Sequence, residues 1–221
     1  MRTGPSLPSA AICFSSLEEQ VERVRRWNHT RRWGFREPDF AAIDVTEVAH
    51  PSPLMVDVVA VYLPATERMG GVRRTCHELW SLVARDIPAA YAWDDGKDWV
   101  KPVRLLDGIE HRPGIRRVTL DLAAHWHRVR AIRPIRVRGP DSAASEVLAA
   151  AAHFPFWVRS MDGQQVPYGW LSGYQLTVPD CETWRHLPCL SWNQLENRVS
   201  LAAHWADLAQ TFWASPVVSY S

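Results

Sequence analysis

Lysine is almost missing from this chain: Lys97 and Lys101 stand beside 23 arginines in 221 residues. Net charge is nearly missing too, at +1, which argues against a strongly basic nucleic-acid binder and against an acidic tail. No apolar run approaches the roughly 18 residues of a membrane span. The N-terminal stretch lacks a charged-then-apolar leader pattern. The four cysteines (Cys13, Cys76, Cys181 and Cys189) form no CxxC pair, so a zinc knuckle or a thioredoxin-type motif is not expected. The expectation is a cytoplasmic protein with reduced thiols and no membrane partner.

Reaction motifs are missing as well. His77-Glu78 starts like a zincin helix, but Ser81 stands where HExxH needs its second histidine. Gly70-Gly71 precedes Arg73 and Arg74 without the rest of a phosphate loop. His186 and Cys189 are three apart, and on a strand such residues face opposite sides, so they do not form a local nucleophile–base pair. Nothing in the sequence names a reaction.

Hydrophobic residues, at 47%, and charged residues, at 22%, are in ordinary globular proportion. Residues 1–14 read as a mobile arm and 15–221 as a single domain. Ser16 and Glu19 form a capping box, followed by Leu17, Val21 and Val24 on one helical face. Leu54–Leu63 is nearly unbroken apolar and β-branched, which suits a strand buried on both faces in the middle of a sheet. Thr75 and Glu78 form a second capping box, predicting a helix from Thr75. Val118, Leu120 and Leu122 alternate with Thr119, Asp121 and Ala123, as in a strand. Arg133–Arg138 reads as a short edge strand, and Asp141 or Ser142 caps an alanine-rich helix. Several short segments follow Tyr174, with a hairpin loop at 194–197. Helices early and strands late favour an α+β fold: a mixed or antiparallel sheet, about three helices and a C-terminal β-meander. The expected core includes Val56, Val58, Val59, Val61, Leu79, Leu82, Val118, Leu120, Leu122, Val147, Leu148, Leu176, Val199 and Leu201.

Charge is laid out in blocks. The net charge is +4 over residues 1–36, −6 over 37–110, +7 over 111–140 and −4 over 141–221. Facing blocks inside one fold are the plainer reading of this pattern; an exposed arginine face is the sharper one. The arginine excess itself runs along the whole chain, which favours a coding bias over selection for bidentate anion contacts.

Two constellations carry candidate chemistry. On a strand, His125 and His127 would face one side with Cα atoms about 6.5–7 Å apart, close enough to share a divalent transition metal. His204 is the candidate third ligand, because LAAHW occurs both at Leu122–Trp126 and at Leu201–Trp205. The second constellation is cationic: Arg25, Arg26, Arg31 and Arg32 lie near Trp27 and Trp33, and Arg116, Arg117, Arg128 and Arg130 lie further on. Cations mixed with rings suit nucleic acid or another anion. Twelve tryptophans are many for this length, and such large rings are often left partly exposed. The leading expectation is therefore a non-catalytic binding or interaction protein with an Arg/Trp-rich surface and no assigned ligand, with a protein or a nucleic acid as the partners open to it. A metal-dependent enzyme built on the histidines comes second, and a nucleic-acid-binding protein third.

Overall fold

The computed structural model describes residues 12, 14–92, 103–127, 130–178 and 181–220. Most of the expected arm, the Trp93–Trp99 turn and Arg128 lie outside them. In chain order the elements begin with α1 (Leu17–Arg31), α2 (Glu37–Ala41), β1 (Met55–Tyr62), α3 (Gly71–Asp86), β2 (Ala89–Ala92) and β3 (Val103–Leu105). Next come β4 (Gly114–Asp121), α4 (Ser145–His153) and α5 (Pro155–Arg159). The C-terminal strands are β5 (Tyr168–Trp170), β6 (Tyr174–Val178), β7 (Cys181–Asn193), β8 (Arg198–Trp205), β9 (Trp213–Ala214) and β10 (Val217–Tyr220). The fold is α+β with three substantial helices, and no helix among the described residues is long and apolar enough to cross a membrane.

β1, β4 and β10 make an antiparallel sheet in that order, with Val58 opposite Val118 and Val218 opposite Leu120. β1 is buried on both faces as its composition requires, yet it is an edge strand and not a central one. Side chains cover that edge. Gln20 of α1 bonds the backbone of Asp57 and Val59, and His153 of α4 bonds the carbonyl of Val59. α1 lays Leu17, Val21, Val24 and Trp27 on the core, and its capping box at Ser16 and Glu19 is formed.

All nine residues of α4 are buried, the pattern of a helix with no solvent face. It packs against β1 and α3 at the centre of one large apolar cluster. Every residue of the expected core is buried.

The second sheet is mixed. β2, β8, β7, β5 and β9 are neighbours in that order; β6 pairs with β7 and β3. β6, β7 and β8 pair antiparallel in succession, which is the C-terminal meander. The loop between β7 and β8 closes through Asn193, whose side chain accepts from the backbone of Leu195 and Glu196, and Asn197 takes a left-handed conformation.

Three boundaries depart from sequence expectation. α3 starts at Gly71, so Thr75 lies inside the helix and its hydroxyl serves Leu63 N instead of a cap. α4 starts at Ser145, because Ser142 accepts from Gly139 N instead of capping the helix. Arg133–Arg138 forms no strand; Pro134–Arg136 is a single 3-10 turn that follows an extended Arg133.

A candidate anion-binding cleft

The strand expected to carry His125 and His127 ends before them. Asp121 stops β4: its side chain accepts from Ala123 N at 3.0 Å and its carbonyl from Ala124 N at 3.3 Å. Leu122–His125 is then a turn, and His125 has φ +60°. His125 and His127 are therefore exposed loop residues and not a same-face strand pair. His204 lies on β8 in the other sheet, edge-on to Trp170 at 5.8 Å and against Trp213 at 5.9 Å. Burial holds its imidazole below the usual histidine range. Among the described residues, no group of three or more His, Cys, Asp or Glu side chains is placed to hold a metal ion. The structure thus does not gather His125, His127 and His204 into one ligand set.

The arginines named from the sequence sort by partner. Arg25 pairs with Glu22 and Glu37, and Arg31 with Glu78. Arg117 donates to Asp57 at 2.7 Å and reaches Asp44 at 3.5 Å. Arg116 donates to the carbonyl of Arg112 and lies over the ring of Tyr62 at 5.1 Å. Arg138, in the same block, donates to the carbonyls of Ser172 and Tyr174, and burial lowers its pKa to about 10. Arg26 and Arg32 are exposed on α1 and at its C-cap.

Arg26 and Arg116 line clefts that also hold glutamates, and Arg130 differs from these. It lines a cleft of about 380 Å³ with His127, Ile132, Arg133, Arg136 and Ala209 among its walls. Arg130, Arg133 and Arg136 are all exposed and make no ion pair with any described acid. Arg133 is the extended N-cap of the 3-10 turn and Arg136 its last residue, so one short turn brings both to the cleft.

The other wall is the chain after β8. Ile132 and Gln210 form an antiparallel bridge, and Ile135 N donates to Ala206 O at 2.8 Å. This pairing holds the irregular 130–137 stretch against 205–211. Three guanidiniums without an acid among them raise the local positive potential, and an entering anion relieves their mutual repulsion. Their planar forks suit carboxylate or phosphate oxygens.

His127 and Arg130 are candidates by sequence, whereas Arg133 and Arg136 read there as part of an edge strand. The signal available was the three-residue spacing of Arg130, Arg133 and Arg136 inside the most basic block. No known protein family, curated protein or solved structure matches this chain.

Proposed function

We propose that this chain is a non-catalytic binding protein, and that its ligand is an anion held by Arg130, Arg133 and Arg136. The observation that carries this reading is the convergence on one cleft of three arginines that pair with no described acid, beside an apolar wall at Ile132, Val137 and Ala209. A cleft of this size lies in the range of small-ligand sites, and its polar groups are all cationic or imidazole. A metal-dependent enzyme draws no support from three histidines that are not gathered together. An extended nucleic-acid track draws little, because Arg25, Arg31 and Arg117 are committed to acids. We place the protein in a reducing compartment such as the cytoplasm, a reading supported by the free, buried thiols of Cys76 and Cys189.

The test is titration of the full chain with inorganic pyrophosphate and with a polyglutamate peptide at low salt. Saturable binding is expected for at least one, weakening about tenfold or more in R133A/R136A and with rising salt. Absence of saturable binding to either anion, or equal affinity in the double variant, overturns the reading.

A further inference from the structure

The cleft has apolar neighbours that a simple anion does not need. Ile135 is 50% exposed, Trp205 45% and Leu208 38%. They sit on the two segments that form the cleft, and these segments are hydrogen-bonded to each other through Ile135 N to Ala206 O. Leu208 is turned back towards Trp205 by its own N–H, which donates to Trp205 O at 3.1 Å. Trp205 is also held in place. Its ring packs against His186, with centroids 4.1 Å apart and planes tilted by 45°, and His186 is itself buried. A ring fixed in this way loses little freedom when a partner covers it.

We infer that this face docks an acidic polypeptide segment that carries large apolar side chains. The inference rests on the anion-binding reading above and adds the class of partner. Charge complementarity supplies the acidic half: three arginines face the cleft, and the exposed Asp207 on the opposite segment pairs with none of them. Ile135, Leu208 and Trp205 supply the apolar half. Tryptophan and arginine at the centre of a patch are the residue types that dominate protein–protein hot spots. A single-stranded nucleic acid fits less well. Bases stack on rings, and here one exposed indole and the His127 imidazole stand among aliphatic side chains. The chain's net charge of +1 gives a polyanion no long-range attraction.

The test uses the full chain and three fluorescein-labelled probes read by anisotropy. One peptide contains glutamate alone. A second has the same number of glutamates with leucine and phenylalanine interspersed. The third probe is a single-stranded oligonucleotide of equal charge. The mixed peptide is expected to bind about tenfold tighter than polyglutamate. Trp205→Ala and Leu208→Ser should each remove most of that advantage without weakening polyglutamate. R133A/R136A should weaken both peptides. Leu208 is an exposed loop residue, so L208S carries the test if W205A loosens the packing on His186.

Equal affinity for the two peptides, or an advantage that survives both W205A and L208S, overturns this inference and leaves the anion reading standing. Tighter binding of the oligonucleotide than of the mixed peptide overturns it in favour of nucleic acid. No binding of either peptide or of pyrophosphate overturns both readings together.

Discussion

The side-chain amide of Gln20 takes the place of a neighbouring strand beside Val59. Its Oε1 accepts from Val59 N at 2.9 Å, and its Nε2 donates to Asp57 O at 3.1 Å. The second Nε2 hydrogen goes to Ser15 O at 3.1 Å, so both amide hydrogens of this buried side chain are used. An edge strand this apolar would otherwise expose a template for pairing with another chain.

Gln20→Ala leaves a buried N–H and a buried C=O on β1 without partners. Each such loss costs about 1–3 kcal/mol, so the variant should be destabilised by about 2–4 kcal/mol. Gln20→Glu keeps the acceptor for Val59 N but removes both donors, and it too should unfold earlier. Urea denaturation decides the matter: a Q20A midpoint equal to that of the parent protein would show that this edge needs no cover.

His153 completes the cover and makes stability pH-dependent. Its Nε2 lies 3.1 Å from Val59 O, an atom that can only accept, so Nε2 carries the proton. Nδ1 then accepts from Arg23, 3.5 Å away, and the ring rests on Trp27 at 4.9 Å. Burial first, and the Arg23 charge second, push the imidazole down to about 3. In the unfolded chain the ring takes up its proton near pH 6.5. Between those values the unfolded state holds more protons than the folded one. The contribution is therefore fully present above about pH 6.5 and is lost as pH falls towards 3, by up to about 1.4 kcal/mol per pH unit. His153→Gln does not titrate. Its stability profile over this range should be shallower than the parent's, and parallel profiles would mean that His153 does not couple folding to protons.

The two copies of LAAHW show what local sequence conveys here and what it does not. Leu201–Trp205 is strand, paired residue by residue with β7. Leu122–Trp126 is turn and loop, because Asp121 bonds the backbone at its start. Identical residues follow different tertiary partners. The core was legible because burial leaves a periodic or unbroken apolar trace: β1, α1 and α4 all carry one. The position of β1 in its sheet was not legible, because a side-chain cover buries an edge as well as a strand does. Arg130 and His127 could be named as candidates from type alone. Their company with Ile132 and Ala209 depends on the pairing of 130–137 with 205–211, a contact about 75 residues apart in sequence that no local pattern encodes.

Glu146 ties the first sheet to α4 through a buried carboxylate. Tyr62 donates to its Oε1 at 2.6 Å, Tyr220 to the same oxygen at 3.3 Å, and Ala144 N to Oε2 at 2.7 Å. Burial and the neighbouring carboxylate push the Tyr62 hydroxyl far above its usual range, so it remains a donor at any physiological pH. Tyr62→Phe should cost about 2 kcal/mol, the value of a short bond to a charged acceptor, and Tyr220→Phe less than about 1. The two effects should not add. With Tyr62 removed, Tyr220 is the remaining hydroxyl donor to that oxygen, so the double variant should lose more than the sum of the singles. Urea unfolding of the four proteins gives the coupling directly, and strict additivity would mean that the two hydroxyls act independently.

Gly70 and Gly71 stand side by side at the start of α3 and should respond oppositely to substitution. Gly70 is the N-cap, with extended backbone (φ −61°, ψ 152°) and no side chain to cap the helix. A Cβ added there would meet nothing within 4 Å. Gly70→Ser supplies the missing acceptor for the first-turn N–H groups and should stabilise by about a few tenths of a kcal/mol, since glycine is itself a tolerable N-cap. A Cβ on Gly71 would lie 2.7 Å from Leu63 O and from His111 Nε2. Those two atoms are bonded to each other at 2.8 Å, and Leu63 N donates to Thr75 on the same helix, so the end of β1 cannot withdraw freely. Gly71→Ala should therefore cost about 1–3 kcal/mol through overpacking. Thermal unfolding of the two variants checks the pair. A G71A protein as stable as the parent would show that the α3–β1 junction is looser than these contacts require, and a neutral G70S would show that water already caps the helix as well as a hydroxyl does.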